Sequence, residues 1–315
     1  MISIELMEQD KRPKVVVIAG PTASGKTSIG VKLALALEGE VINADSMQVF
    51  RGMDIGTAKP TPDEQKGIPH HLLDVVDPDE EFNAAIYRRM SLSLIADISS
   101  SGRTCFIVGG TGLYIKGLLE GLFQCPRSDP VLREALYREC ETLGIEALYK
   151  RLKLSDPLSA RKIHINDKMR IIRALEIIHL TKRIPSDLSG AHGFRDRPLN
   201  ALRLCLDVER EQLYNRINER SEVMVHAGLA AETEKLLLKG YSPDLKPMKA
   251  IGYRHMVNYL NGTWSLMESI DRIKRDTRRY AKRQITWFRA DPEVNWIASE
   301  NFNLILKKVQ TFLRR

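Results

Sequence analysis

Residues 14–27, KVVVIAGPTASGKT, constrain what this chain can fold into more than any other stretch. A β-branched apolar run passes directly into G-x-x-x-x-G-K-[ST], and a helical pattern follows over residues 26–37. A strand, a glycine-rich turn and a helix in that order are the context that makes the pattern a phosphate cradle rather than a flexible loop. Gly20, Pro21, Thr22, Ala23, Ser24, Gly25, Lys26 and Thr27 form the cradle. Its glycines let successive backbone N–H groups turn toward an anion, and the helix N-terminus adds positive potential. Lys26 reaches an outer phosphate, and the Thr27 hydroxyl is placed to ligate Mg²⁺.

A strand feeding such a turn implies a parallel sheet, and the sequence supplies further strands. Residues 40–44 (EVINA), 103–108 (RTCFIV) and 201–208 (ALRLCLDV) read as strands, with a short extended piece at 294–298. Helical runs separate them, including 113–122, 209–239 and 265–287. The expected fold is therefore α/β, a P-loop NTPase-like parallel sheet flanked by helices. Residues 131–152 and 157–180 carry apolar residues at helical spacing with no strand signal, and 184–197 reads as a Gly, Pro and Ser loop. The expected division is a core over 1–125, an all-helical insertion over 126–195, and core completion with basic C-terminal helices over 196–315.

Composition excludes several classes. No window approaches eighteen unbroken apolar residues, so no membrane span is expected. Glu5, Glu8 and Asp10 replace the apolar stretch of a secretory signal. The four cysteines show no C-x-x-C, against a zinc ribbon or disulfide scaffold; a reduced, cytoplasmic setting is expected. Lys and Arg total 48 against 40 Asp and Glu, a formal charge of +8. Residues 272–289, RIKRDTRRYAKRQITWFR, concentrate that excess around one acid, Asp276. Residues 126–195 hold 14 basic against 9 acidic side chains. Either stretch is a solvated helix face or a polyanion-binding surface.

An ordinary ATPase places a second acid at the end of the third strand. Here that strand ends in Gly-Gly-Thr, and the acid comes after the second strand, as Asp45. Ligands of open parallel sheets bind beyond the carboxyl ends of the strands, so Asp45 and Thr111 are expected on the rim of the cradle. Asp45 there is a metal ligand, a general base, or a simple turn former.

Several stretches together resemble the tRNA dimethylallyltransferases of the bacterial type. They are GPTASGKT (20–27), NADSMQVF (43–50), GMDIGTAKP (52–60), HHLLDVVDP (70–78), VGGTGLYIKGLLEGL (108–122), IGYR (251–254) and KRQITWFR (282–289). No cysteine/histidine zinc-finger extension of the eukaryotic kind is seen, hence the bacterial expectation. The resemblance implies that the cradle holds the diphosphate of dimethylallyl diphosphate, with Mg²⁺. It implies transfer to N6 of the adenosine immediately 3′ of the anticodon, in tRNAs reading codons that begin with U. Asp45 matches the catalytic acid, Thr111 a threonine beside the reacting centre, and Arg254 an arginine near the diphosphate, with Lys26 stabilising the leaving group. The implied contacts to the tRNA anticodon stem-loop fall on Asp45, Ser46, Met47, Gln48, Thr111, Arg133, Met169, Arg170, Ile171, Ile172, Arg173, Lys249, Arg254, Lys282, Arg283, Gln284 and Arg289. Gln48 is expected at the target base, whereas the side chains of Met169, Ile171 and Ile172 fit helix packing. His70-His71 is expected in a packing or loop role, and Asp74, Asp77 and Asp207 are lesser candidates for the magnesium shell. A monomer is expected. The alternatives are an adenylate isopentenyltransferase acting on free AMP, ADP or ATP, and a nucleic-acid-binding ATP switch.

Overall fold

The computed structural model describes residues 10–122, 125–192 and 196–314, without the side chains of 189–192. Glu5, Glu8 and residues 193–195 of the expected loop lie outside the described residues. The chain divides into two compact units, 1–119 together with 198–315, and 120–197.

The larger unit is built on a parallel sheet. Among the described residues it has six strands: β1 (Lys14–Ala19), β2 (Gly39–Asn43), β3 (His70–His71), β4 (Thr104–Gly109), β5 (Asn200–Asp207) and β6 (Asn295–Ala298). Their order is β3-β2-β4-β1-β5-β6, every pairing parallel. β1 is central, and Val15, Val16, Val17 and Ile18 are all fully buried. Alternation sends them to opposite faces. Val15 and Val17 join a cluster with Ile42, Ile107 and Tyr87, while Val16 and Ile18 join one with Leu33, Phe106, Leu204 and Ile305. A strand buried on both faces requires the continuous apolar run seen in its sequence.

Helices cover both faces. α1 (Lys26–Ala36) follows the cradle, and α2 (Pro62–Gln65) is a single capped turn. α3 (Ala84–Ser100) and α4 (Gly112–Glu120) flank β4. The smaller unit holds α5 (Pro130–Leu143), α6 (Ile145–Ser155), α7 (Pro157–Lys162), α8 (Lys168–Thr181) and α9 (Pro185–His192). The larger unit then resumes with α10 (Arg210–His226), α11 (Leu229–Leu238), α12 (Tyr253–Leu260), α13 (Leu266–Arg289) and α14 (Phe302–Arg314).

Three expected helical runs are broken. The run over 131–152 is broken at Gly144 with φ +79°, that over 157–180 between Lys162, the end of α7, and the Asp167 cap of α8, and that over 209–239 at Gly228 with φ +102°. Each break sits where a positive-φ glycine or an aspartate cap competes with continued helix. The stretch expected as loop over 184–197 instead contains α9. Its Pro185 occupies the first turn, where a missing N–H costs nothing. The next N–H, from Ser186, is taken by the Asp156 carboxylate at 2.9 Å.

Candidate active site

The carboxyl ends of β2, β4 and β1 lie side by side, so the three loops leaving them share one rim. From β1 comes the cradle. Gly25 takes φ +87° at the cap of α1, and Ala23 adopts φ +64°, a conformation costly for a residue with a Cβ. Lys26 is partly buried and donates from Nζ to the Pro21 carbonyl at 2.7 Å. Burial, and then the neighbouring Arg220 guanidinium, hold its ammonium down to about 8, with Asp45 and Cys205 acting in the opposite direction. The buried Ser24 hydroxyl has no hydrogen-bond partner.

From β2 comes Asp45. The Asn43 side chain accepts the Asp45 N–H at 3.1 Å, and the Asp45 carboxylate accepts the Met47 N–H at 2.8 Å. The loop is thus folded so that one carboxylate oxygen is engaged locally. From β4 comes Thr111, whose N–H donates to the Ala44 carbonyl and whose hydroxyl accepts the Ser46 N–H at 2.9 Å. Thr111 therefore ties the two loops together beside Asp45.

α13 locks these loops to one another. Gln284 is 6 % exposed; its Oε1 accepts the Thr22 N–H at 2.8 Å and its Nε2 donates to the Gly110 carbonyl at 2.9 Å. A Cβ at Gly110 would overlap the Gln284 amide, and one at Gly112 the Trp287 indole. The glycines after β4 are there to admit α13. Gln284, expected among the RNA contacts, is a buried strut between the cradle and the Gly-Gly-Thr loop.

A cavity of about 300 Å³ opens at this junction. Its lining combines the polar side chains of Thr22, Asp45, Arg220, Tyr280 and Arg283 with the apolar ones of Met47, Met224, Leu229, Ile251 and Ile273. Arg220 donates to the Thr22 hydroxyl, and burial lowers its pKa from the ordinary arginine value against the pull of Asp45. Tyr280 has its pKa raised by burial and then by Asp45, so it stays a phenol. Arg254 lines the same cavity; its guanidinium donates to Asp276 at 2.6 Å, and Asp276 also accepts from His255 at 3.2 Å. Burial, then Arg254, push that imidazole down to about 4, keeping it neutral.

Sequence reasoning missed Arg220 and Tyr280. Arg220 sits at an unremarkable position of α10, and nothing in its spacing marks it. Tyr280 lay in view within the basic run, where its ring reads equally well as helix packing.

Other expected residues fall elsewhere. Gln48 is partly buried with its amide nitrogen given to the Thr57 and Ala58 carbonyls, at 3.2 and 3.0 Å. Lys282, Arg283 and Arg289 are exposed on α13, with Arg283 over the Tyr280 ring and Arg289 over that of Trp296. Lys249 is exposed and pairs with Asp244. In the smaller unit, Ile171 and Ile172 are buried in the helical core, so their side chains pack rather than meet a ligand. Arg133 and Arg173 both bind the fully buried Glu176, at 2.8 and 2.6 Å. Both arginines hold that unit together. Arg170 is exposed beside Asp167, and exposed Met169 accepts a hydrogen bond from the Tyr137 hydroxyl through its sulfur. Asp74 is bound by Lys59 and Asp77 by Arg51. His71 pairs with Glu40. No group of three acidic, His or Cys side chains fit for a metal ion occurs among the described residues.

The model of the IPP transferase family matches residues 48–291. The chain belongs to this family. It is 49 % identical over 308 residues to tRNA dimethylallyltransferase 2 of Geotalea uraniireducens (strain Rf4), covering 98 % of this chain and 99 % of that one. The solved tRNA isopentenylpyrophosphate transferase of Bacillus halodurans is 42 % identical, with a TM-score of 0.72 over 96 % of this chain and 97 % of the other. A eukaryotic dimethylallyltransferase solved acting on tRNA gives 31 % identity and a TM-score of 0.77, over 91 % and 74 %. As an IPP transferase the chain is a prenyltransferase of the tRNA-modifying kind, and the free-nucleotide alternative is not favoured. No helix among the described residues is long and apolar enough to cross a membrane.

Proposed function

We propose that this enzyme moves the dimethylallyl group of dimethylallyl diphosphate to N6 of the adenosine immediately 3′ of the anticodon, in tRNAs reading codons that begin with U. It does so as a monomer in the cytoplasm. The observation that carries the reading is one cavity beside the cradle whose lining combines the cations Arg220, Arg254 and Arg283, several apolar side chains and a single carboxylate, Asp45.

Each part of the substrate has a counterpart. The diphosphate goes to the cradle amides, Lys26, Thr22 and Arg220, and the five-carbon chain to the apolar side chains of Met224, Leu229, Ile251 and Ile273. Arg254 lies beside the diphosphate. The exocyclic amine is a weak nucleophile until a proton leaves it. Asp45 takes that proton as the N6 lone pair forms a bond to the allylic carbon. The carbon–oxygen bond breaks and its electron pair leaves on the diphosphate. Lys26, Arg220 and the cradle amides are already oriented for that growing negative charge. Thr111 keeps Asp45 in place through Ser46.

Mg²⁺ fits this donor set. It prefers one or two hard protein oxygens, with phosphate and water completing the shell. The Thr27 hydroxyl at the start of α1 is such an oxygen, and a substrate-borne ion needs no cluster of acids. When bound, the ion supplies charge neutralisation of the diphosphate. Tyr280 remains protonated beside Asp45, and Lys282, Arg283, Arg289, Arg170 and Lys249 offer exposed charge to the anticodon stem-loop.

The test offers labelled dimethylallyl diphosphate and Mg²⁺ to an unmodified anticodon stem-loop and, separately, to AMP. Label is expected in the RNA alone; label in AMP alone overturns the assignment of acceptor. Asp45→Ala is expected to lower kcat by about 10²–10⁴-fold, the range for removing a general base, while binding of both substrates persists. Undiminished turnover would exclude Asp45 as the base.

A further inference from the structure

Asp276 is the one acid in the basic run 272–289. It is not a solvated spacer, because its side chain is 16 % exposed and both carboxylate oxygens are engaged. Oδ2 accepts from the Arg254 guanidinium at 2.6 Å and from His255 Nε2 at 3.2 Å, both on α12. Oδ1 meets arginines of its own helix, 3.3 Å from Arg275 Nε and 3.7 Å from Arg279 Nη1. Three guanidinium groups thus converge on one carboxylate, and without it they repel one another.

The same bonds reach the cavity lining. His255 Nδ1 accepts the Gly252 N–H at 3.3 Å, which leaves Nε2 as the protonated nitrogen that donates to Asp276. Asp276 is therefore joined to Arg254 directly and to Gly252 through His255, and Gly252, Tyr253 and Arg254 are consecutive residues lining the cavity. Arg254 needs such an anchor. Its side chain is 41 % exposed, and its other partner among the described residues is the Lys249 carbonyl at 3.4 Å. A long side chain that open to solvent visits many rotamers, and ordering it on binding subtracts from affinity. Asp276 holds one terminal nitrogen and leaves Nε and other N–H groups of the fork for an anion.

We propose that Asp276 is a positioning residue for the diphosphate, holding the Arg254 guanidinium at the cavity while His255 fixes the carboxylate as a second donor. The inference deepens the function proposed above and rests on its placing of Arg254 beside the diphosphate. Two effects of this acid oppose each other: its charge disfavours an incoming anion, whereas its grip on Arg254 orders a donor in advance. Arg254, Arg275 and Arg279 already neutralise the carboxylate, so the ordering effect prevails.

The experiment measures pyrophosphate binding with Mg²⁺ by calorimetry, and KM for dimethylallyl diphosphate with the anticodon stem-loop as acceptor. It compares the wild type with Asp276→Ala, Asp276→Glu, Arg254→Ala and the two double variants, each checked for a cooperative thermal transition. Asp276→Ala is expected to weaken pyrophosphate binding and to raise KM by about fivefold or more, within the coupling shown by residues of one ion-pair network. Asp276→Glu keeps the charge and moves the carboxylate by one methylene, and a loss of about twofold or more is expected there too. In the Arg254→Ala background either substitution is expected to change binding by less than about twofold. Unchanged or tighter binding in the Asp276 variants that fold overturns the proposal. So does a loss of equal size in the Arg254→Ala background, the mark of a residue that merely packs α12 against α13. If Asp276→Ala does not fold, Asp276→Glu decides by the same criteria. Absence of pyrophosphate binding by the wild-type enzyme would instead count against the diphosphate site of the proposed function.

Discussion

Lys26 shows how a single residue is prepared for its ligand. Held down to about 8 by burial and by Arg220, it loses its charge more readily than an ordinary lysine. Only the charged form attracts diphosphate, so binding pulls the pKa up and takes up a proton. The favourable contribution is complete below about pH 8, declines above it, and is lost as pH rises through the higher pKa of the bound state. Calorimetric titration with pyrophosphate from about pH 7 to 9.5 is therefore expected to show affinity falling above pH 8 more steeply for the wild type than for Lys26→Arg, whose charge does not titrate in that range. Parallel curves would place the titrating group elsewhere. Asp45 shows the complementary arrangement: one carboxylate oxygen receives the Met47 N–H, and the same acid faces Arg220 and Tyr280 across the cavity.

At the scale of elements, α13 joins loops that the sheet merely brings near. Gln284→Ala leaves the Thr22 N–H and the Gly110 carbonyl without their partner, a destabilisation of about 1–3 kcal/mol that urea unfolding reads. Transfer is expected to drop at least tenfold with the Kd for the stem-loop unchanged. A weakened Kd with intact kcat would make Gln284 an RNA contact after all. In the smaller unit, Glu176 plays the equivalent part for α5 and α8. Burial raises its pKa, but hydrogen bonds from Ser128, Arg173, Arg133 and the Asp129 N–H outweigh it, and the net shift is downward. A carboxylate with a depressed folded pKa stabilises above its unfolded value and loses that contribution as pH falls through the folded one. Glu176→Ala is expected to cost roughly 3 kcal/mol at pH 7, reduced somewhat because both arginines remain partly open to solvent. Amide exchange in α5 and α8 measures it, and the difference from wild type is expected to shrink below about pH 4.5.

For the whole molecule, the basic excess becomes directional once α13 is viewed along its axis. Ile273, Ala281, Gln284 and Phe288 are buried, while Lys282, Arg283 and Arg289 are exposed, two of them beside aromatic rings. Replacing Lys282 and Arg283 together by Ala is expected to weaken stem-loop binding and to lower its log–log salt slope by about 0.7–0.9 for each phosphate no longer neutralised. An unchanged slope would take this helix out of the RNA interface.

What could be read along the chain resides in adjacent residues. The apolar run of β1, the glycine pattern of the cradle and the placing of Asp45 and Thr111 at strand ends are local, and repeating geometry turns them into a rim. Where local signals competed, as at Gly144, Gly228 and Pro185, the boundaries moved. GMDIGTAKP and KRQITWFR marked the family without revealing their work: Gly56 admits Tyr253, Lys59 joins Asp54 to Asp74, and Gln284 bridges two loops. Packing settled the rest: that Arg220 faces the cradle, that Glu232 accepts the Tyr253 hydroxyl and the N–H groups of residues 54–56, and that Glu176 gathers Arg133 and Arg173. Apart from Arg173, one helical turn from Glu176, the residues so joined stand tens to hundreds of positions apart. A side chain's partner at such separation is fixed by how elements pack, which no local periodicity records.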